Sequence, residues 1–255
     1  MPQQNCKYSD EGILNLRQAY EESLHREGHV EDPAQLELVA RFEDLQQRLA
    51  AQRPRKGGLR TMFFRSEPRE TVRGLYIWGG VGRGKTFLMD LFFECLPIER
   101  KKRIHFHRMM HDVHERMKTL SFVEDPLDKV AAAIAQETQV LCFDEFFVSD
   151  IGDAMILGRL LEGLFARGVT LVATSNSPPD ELYKDGLQRQ RFLPAIRLLN
   201  EHTDVVNMDG GTDYRLRILQ KAGTYLSPND ESAAARLNFF FDESASAQIE
   251  HDTDL

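Results

Sequence analysis

The sequence predicts an α/β fold in which a parallel sheet of five strands is flanked by helices and preceded by an N-terminal helical segment. After residue 73, five short apolar runs alternate with helical stretches, and strands alternating with helices indicate a mostly parallel sheet. The chain has 255 residues with 42% hydrophobic and 28% charged side chains. That is enough for one large domain with appendages, or for two modest domains.

The N-terminal region reads as two amphipathic helices. Apolar residues recur at spacings of three to four from Ile13 to about Gln52, which is typical of helices with one buried face. Asp32 followed by Pro33 predicts an N-cap with proline in the first helical position. A basic link at residues 53–73 follows, interpreted as a solvated connector or, alternatively, as a patch that docks an acidic partner or phosphate.

The chain therefore divides into three predicted parts. Residues 1–70 form the helical segment and basic linker, residues 71–227 form the α/β core, and residues 228–255 form an acidic tail. The predicted strands of the core are residues 75–78, 104–106, 140–143, 170–174 and 205–208.

A complete G-x-x-x-x-G-K-[ST] motif follows the first predicted strand directly. Its residues are Gly79, Gly80, Val81, Gly82, Arg83, Gly84, Lys85 and Thr86, with Phe87 opening a helix-like stretch. Glycines permit a tight loop whose N–H groups surround phosphate oxygens, and the helix directs its positive end at the same anion. The motif predicts a P-loop NTPase in which Lys85 neutralises the β- and γ-phosphates and the Thr86 hydroxyl binds Mg²⁺. The alternative is a glycine-rich turn without a ligand.

The third predicted strand ends in two acids, Asp144 and Glu145. Open α/β sheets bind ligands at the carboxyl ends of their strands. We expect Asp144 to hold Mg²⁺ through coordinated water, and Glu145 to orient or deprotonate the attacking water. The alternative is a pair of acids that complements the dipole of a following helix.

Asn176 follows the fourth predicted strand. If that strand lies between the first and the third, Asn176 faces the γ-phosphate and holds the attacking water together with Glu145, because an amide both donates and accepts hydrogen bonds. An ordinary turn residue before Pro178 is the alternative.

Arg189 and Arg191 lie further along, in a Gln-Arg-Gln-Arg sequence. An arginine at the rim of such a domain reaches a neighbour's γ-phosphate rather than its own. Arg191 is the first choice and Arg189 the second, and the assignment predicts a homo-oligomer. Surface salt bridges are the alternative.

Charge and cysteine content restrict the class of protein. The net charge is −8, of which seven acids and one base in residues 228–255 supply most, so a broad basic face that grips nucleic acid is not expected. The three cysteines form no C-x-x-C pair, which favours a reducing compartment over a disulfide framework or zinc site. No run approaches 18 apolar residues, so we expect a cytoplasmic protein without a transmembrane segment.

Four histidines invite a metal interpretation. His105 and His107 are expected to share a strand face, and His111 and His114 a helix face. Because a site using all four needs the strand and helix to converge, core or partner-contact histidines are favoured over zinc.

The combined motifs resemble an AAA+ ATPase, with Walker A, Walker B, a sensor 1 asparagine and an arginine finger. Longer stretches resemble the ZapE family of bacterial cell-division ATPases, relatives of the mitochondrial lactation-elevated ATPases, from about Tyr20 to Ser227. The stretches that carry this resemblance are residues 74–86, 103–110, 141–146, 150–157, 173–176, 193–194 and 213–215.

The resemblance implies an ATP- and Mg²⁺-dependent factor that acts on FtsZ filaments, or on another division-ring protein, at the inner face of the bacterial membrane. It also implies that Gln35 contacts adenine, the alternative being an ordinary exposed helical glutamine. Members of the family continue beyond the position of Ser227 into a lid, so we expect the lid to be missing here. Two other functions stay open: a nucleotide-gated adaptor with little turnover, and a helicase-loader-type ATPase.

Overall fold

The computed structural model describes residues 15–27, 31–52, 71–120 and 122–209. The strands in these ranges are β1 (Gly74–Trp78), β2 (Lys101–His105), β3 (Val140–Asp144), β4 (Thr170–Ser175) and β5 (Thr203–Asn207). They form one parallel sheet with the order β2-β3-β4-β1-β5. The predicted α/β fold with a five-stranded parallel sheet is confirmed.

Helices connect the strands and cover both faces of the sheet. Their bounds are α1 (Leu16–Glu27), α2 (Pro33–Ala51), α3 (Lys85–Cys95), α4 (Phe106–Thr119), α5 (Pro126–Glu137), α6 (Ile151–Phe165) and α7 (Leu193–His202). Two single-turn 3₁₀ helices, Pro179–Glu181 and Arg189–Arg191, lie between β4 and α7. None of the helices in these ranges is long and apolar enough to span a bilayer.

The two predicted N-terminal helices are confirmed as α1 and α2. Asp32 has an extended backbone, and its carboxylate accepts a hydrogen bond from the Ala34 N–H at 2.8 Å. This contact satisfies one of the four N–H groups that the first turn of a helix leaves without an intrahelical partner. Pro33 fits behind the cap because its ring presets a helical φ.

Two apolar cores lie on opposite faces of the sheet because successive strand residues point to opposite sides. Leu75 and Ile77 of β1 pack into the core that α1, α2 and α3 cover, here called the α3 face. Tyr76 packs into the other core, which α4, α5, α6 and α7 cover. On the α3 face, Phe42 of α2 stacks on Phe92 of α3 with ring centroids 4.5 Å apart. The N-terminal helices thus share a core with the sheet.

The predicted second strand is wrong at both ends. It was placed at residues 104–106, whereas β2 starts at Lys101 and Phe106 is the buried first residue of α4. β2 is an edge strand whose first three residues are charged, so it lacks the apolar run by which strands are recognised. Because His107 lies on α4, the expected strand face shared by His105 and His107 is also wrong.

Val81, Gly82 and Arg83 form part of a turn in which Gly82 has a φ of 80°. Three predicted features lie outside the described residues: the basic link at residues 53–70, the segment at residues 213–215 and the acidic tail at residues 228–255. The expectation of a missing lid therefore stays a prediction.

Candidate functional site

The carboxyl ends of β3, β4 and β1 lie side by side at one edge of the sheet. β4 pairs with β1 through Trp78 and Ser175 and with β3 through Phe143 and Ala173. The condition for the proposed role of Asn176, that β4 lies between β1 and β3, is therefore confirmed. The neighbouring strand ends bring together the start of the loop at Gly79, the acidic pair after β3 and Asn176 after β4.

Two glycines of the loop occupy positions that exclude a side chain. Gly79 has a φ of 147°, and a Cβ there would lie 2.9 Å from Asp209 Oδ1. Gly84 has a φ of 80°, and a Cβ there would lie 2.5 Å from Gln35 Nε2. Gly84 also caps α3 without a side-chain hydrogen bond, and no acid lies in the first turn of α3. The start of α3 therefore has the character of an anion site.

Lys85 joins the loop to the end of β4. Its ammonium donates hydrogen bonds to the carbonyls of Gly79 and Gly80 at 2.7 and 2.8 Å, and to Asn176 Oδ1 at 3.3 Å. The side chain is buried, with 8% of the residue exposed. An ammonium held in this way is a fixed positive charge at the point where the loop meets the strand ends.

Asp209, after β5, holds the beginning of the loop. Its Oδ1 accepts a hydrogen bond from the Gly80 N–H at 2.6 Å, and the Met208 N–H donates to the Trp78 carbonyl at 2.8 Å. A charged acceptor on a backbone N–H makes a stronger hydrogen bond than a neutral one. Asp209 had no role in the sequence predictions, since nothing in its spacing places it beside the loop.

The two residues that follow Lys85 on α3 differ in exposure. The Thr86 side chain, the predicted magnesium ligand, is exposed at the start of α3. Phe87 is half-buried and packs against the core of the α3 face. Phe87 thus anchors the helix, and a direct contact of its ring with a nucleotide stays a prediction.

Asp144 is buried, with 3% of the residue exposed, yet its Oδ1 has no hydrogen-bond partner among the described residues. A buried carboxylate oxygen without a partner carries a desolvation cost of about 1–3 kcal/mol or more. Magnesium binds oxygen ligands and keeps several waters. Among the described residues no three His, Cys, Asp or Glu side chains are arranged to hold a metal. Binding of Mg²⁺ by Asp144 and Thr86, together with phosphate oxygens and water, stays a prediction.

Arg103 of β2 contacts the Asp144 carboxylate at the end of β3. The sequence predictions assigned no role to Arg103. Its Nε is 2.7 Å from Asp144 Oδ2, although the N–H is not directed at that oxygen, and its Nη1 contacts Asp90 of α3. Burial raises the pKa of Asp90 to about 6; Arg103 opposes this rise, and the charges of Asp144 and Glu94 add to it. The signal available in the sequence was an arginine directly before the strand predicted at residues 104–106.

Glu145 has a left-handed backbone, with a φ of 51°, and an exposed side chain. A residue with a Cβ adopts this conformation at a cost, and such residues concentrate at functional sites. Two hydrogen bonds connect this turn to β4. The Glu145 N–H donates to Thr174 Oγ1 at 3.2 Å, and the Phe146 N–H donates to the Thr174 carbonyl at 2.7 Å. The Ser175 hydroxyl in turn donates to the Phe146 carbonyl at 2.8 Å.

Gln35 lies beside the loop rather than on an exposed helix face. It is 4% exposed, and its Oε1 accepts a hydrogen bond from the Tyr20 hydroxyl at 3.0 Å. Its Nε2 approaches Gly84 so closely that a side chain there would collide. The alternative of an ordinary exposed glutamine is therefore wrong, while contact with adenine stays a prediction.

The two candidate finger arginines lie on the 3₁₀ helix Arg189–Arg191. Arg189 is half-buried, and its Nη2 donates to the Asp180 carbonyl at 2.6 Å. Arg191 is exposed. Of the two side chains, that of Arg191 is the more accessible to another molecule.

The sequence matches a known family over most of its length. Residues 14–255 match the family model described as AFG1-like ATPase. The chain is 53% identical over 228 residues to the cell division protein ZapE of Escherichia coli K12, covering 86% of this chain and 61% of that protein. It is 47% identical over 188 residues to lactation elevated protein 1 homolog B of Danio rerio, covering 69% of this chain and 37% of that protein. The chain thus spans about three fifths of the length of the ZapE relative.

Solved structures with a similar backbone share little sequence. The DnaC helicase loader superimposes with a TM-score of 0.49 at 12% identity, over 70% of this chain and 92% of that one. AMPPCP-bound DnaA from Aquifex aeolicus gives a TM-score of 0.49 at 12% identity, over 79% of this chain and 56% of that one.

Proposed function

The chain belongs to the AFG1-like ATPase family, and from that premise we propose that it binds ATP with Mg²⁺ and hydrolyses it to ADP and phosphate. The observation that carries the proposal is the presence of two opposite buried charges at neighbouring strand ends. The Lys85 ammonium reaches Asn176 after β4, and Asp144 ends β3 with an Oδ1 that has no hydrogen-bond partner among the described residues. A phosphate chain with its cation complements that pair of charges.

The residues of the loop and of the strand ends each have a part in the proposed reaction. Lys85 and the N–H groups of residues 79–86 bind the phosphates, and Thr86 and Asp144 hold Mg²⁺. When bound, Mg²⁺ would supply positive charge that offsets the charge of the phosphates during phosphoryl transfer. Glu145 orients the attacking water or accepts its proton, and Asn176 holds the same water. The exposure of Glu145 and Asn176 at adjacent strand ends supports this assignment.

The proposal includes a homo-oligomer in its active state, in which Arg191 contacts the nucleotide of a neighbouring copy. Its support is the exposure of Arg191 and the engagement of Arg189 by the Asp180 carbonyl. An arginine supplied by another subunit accelerates phosphoryl transfer by about 10³- to 10⁵-fold.

For the cellular role, we propose ATP-dependent remodelling of FtsZ filaments or of another division-ring protein. The protein would act in the bacterial cytoplasm at the division site, with a peripheral association at the inner membrane. The support is the identity of 53% with a protein named for cell division. Strong binding to nucleic acid is not part of the proposal.

Phosphate release and nucleotide binding test the enzymatic proposal. Lys85→Ala is expected to stop phosphate release and to weaken nucleotide binding. Glu145→Gln is expected to keep nucleotide affinity and lower turnover by about 10²- to 10⁴-fold, the usual contribution of a general base. Chelation of Mg²⁺ with EDTA should stop turnover. Nucleotide affinity without turnover in the unaltered protein would favour the adaptor function instead.

The dependence of rate on protein concentration tests the oligomer. The rate per chain should rise with concentration and collapse in Arg191→Ala, while Arg197→Ala, an exposed arginine on α7, should leave it unchanged. A flat rate, or equal effects of the two variants, would contradict action between subunits.

Sedimentation of FtsZ filaments tests the cellular role. With ATP the protein should reduce the pelleted FtsZ, and with a non-hydrolysable analogue or Glu145→Gln it should not. Equal pelleting in all three conditions would contradict remodelling of FtsZ and direct attention to other division-ring proteins.

A further inference from the structure

We infer that Arg103 is a positioning residue that fixes Asp144 for magnesium by joining it to Asp90 on α3. The inference rests on the proposed function and deepens it, since it concerns how the same site binds its cation. The carboxylate that would hold the ion, through coordinated water, is that of Asp144, and Arg103 acts through it.

The sheet register brings the three side chains to one face. Arg103 of β2 lies beside Cys142 of β3, and Cys142 packs into the core of the α3 face. Because side chains alternate along a strand, Asp144 points to the same side as Cys142. α3 covers that face, and it carries Asp90. One guanidinium therefore contacts the tip of β3 through Nε and α3 through Nη1.

The position of Asp90 on α3 connects the bridge to the second predicted magnesium ligand. Asp90 follows Thr86 by four residues, and residues four apart lie on the same face of a helix, one turn from each other. Arg103 thus holds α3 one turn beyond Thr86 while it holds Asp144. The bridge fixes the separation of the two side chains that we propose hold the cation.

The charges explain why an arginine suits this place. Asp90 and Asp144 are like charges that raise one another's free energy when no cation lies between them. Arg103 compensates both through Asp144 Oδ2 and Asp90 Oδ1, and Asp144 Oδ1 keeps no hydrogen-bond partner in the part of the chain that the structure describes. A guanidinium presents several donors in a rigid plane and can contact two carboxylates at once, whereas a lysine ammonium is a single flexible point charge.

The test compares nucleotide affinity with and without the cation. A fluorescent ADP analogue is titrated into the unaltered full chain, Arg103→Gln, Arg103→Lys and the control Arg159→Gln, each in Mg²⁺ and in EDTA. Arg159 is an exposed arginine that pairs with Asp125 alone among the described carboxylates. Arg103→Gln should keep its EDTA affinity within about twofold. The Mg²⁺ concentration needed for half-maximal enhancement should rise by about 10- to 100-fold, the usual effect of removing a residue that orients a metal ligand.

Each result decides the inference. A folded Arg103→Gln with an unchanged magnesium requirement would overturn it, because a purely structural ion pair would lower the melting temperature and leave that requirement alone. If Arg103→Gln does not fold, Arg103→Lys decides, and an unchanged magnesium requirement there overturns the bridge. Absence of nucleotide binding in the unaltered protein is a different outcome, since it overturns the proposed function itself.

Discussion

The tips of β1 and β3 differ in how far the protein satisfies its own polar groups. At β1 the Lys85 ammonium contacts two loop carbonyls and Asn176. At β3 the buried Asp144 keeps one oxygen without a hydrogen-bond partner in the described residues. A phosphate that approaches Lys85 must exchange with existing contacts, so its net gain is a difference between hydrogen bonds. The cation that we propose at Asp144 would displace no described protein group from Oδ1, so the two strand ends would contribute to binding in different ways.

The largest effect is expected at the β1 tip. Lys85→Ala should weaken binding of ADP by about 10- to 140-fold, because a hydrogen bond to a charged group contributes about 1.5–3 kcal/mol and 1.4 kcal/mol corresponds to a factor of ten. Isothermal titration calorimetry measures the loss, with the exposed Lys118→Ala as control. An unchanged affinity for ADP in Lys85→Ala would contradict the proposed contribution of the β1 tip to nucleotide binding.

Asp144→Asn tests the β3 tip. The amide keeps the shape of the carboxylate but lacks its charge. Turnover and the affinity for magnesium should therefore each fall by about 10- to 100-fold. The free energy of unfolding should change by less than about 1 kcal/mol, because loss of the Arg103 ion pair is offset by removal of a buried, incompletely bonded charge. Magnesium titration of phosphate release and urea unfolding measure the two quantities. A stability loss of about 3 kcal/mol with normal turnover would make Asp144 a structural residue.

A smaller effect concerns the turn after β3. Glu145→Gly should be more stable than Glu145→Ala by about 1 kcal/mol, because only glycine adopts the φ of 51° without strain. At Glu162, within α6, the same pair should show the opposite order by about 1 kcal/mol, as expected inside a helix. Urea unfolding of the four variants measures both differences, and equal stability of the Glu145 pair would show that the turn relaxes.

The smallest effect is expected at the start of the loop. Asp209→Ala removes the acceptor of the Gly80 N–H and should lower the free energy of unfolding by about 0.5–1.5 kcal/mol. Nucleotide affinity should change by less than about threefold, since Lys85 keeps its position. Thermal unfolding and calorimetry measure these values against the exposed Asp185→Ala. A loss of affinity as large as that of Lys85→Ala would make Asp209 part of the phosphate site.

The sequence was sufficient to predict the sheet and the residues that meet at its edge, because their signals are local. The glycine-rich loop follows β1 directly and the two acids follow β3 directly, so the parallel order of strands alone brings them together. β2 was poorly predicted, because Lys101, Lys102 and Arg103 of an edge strand carry no apolar pattern.

The features that the sequence did not predict depend on contacts between distant elements. The role of Arg103 requires the register of β2 against β3 and the packing of α3 on that face. The burial of Gln35 requires Tyr20 on one side and Gly84 on the other. A helical pattern assigns a polar residue such as Gln35 to solvent, and only the packed structure shows otherwise.

Thr174 offers a lesson for protein engineering. Valine has almost the same shape, but it would leave the Glu145 N–H without the hydroxyl that accepts it. Grafting this edge onto another scaffold would require Thr174 and Ser175 to be transplanted together with the acids, although both are buried under the turn. A library that placed hydrophobic residues at these two positions would lose the side-chain hydrogen bonds to the Glu145 N–H and the Phe146 carbonyl. Its members could still fold, but the turn after β3 would no longer be held by these bonds.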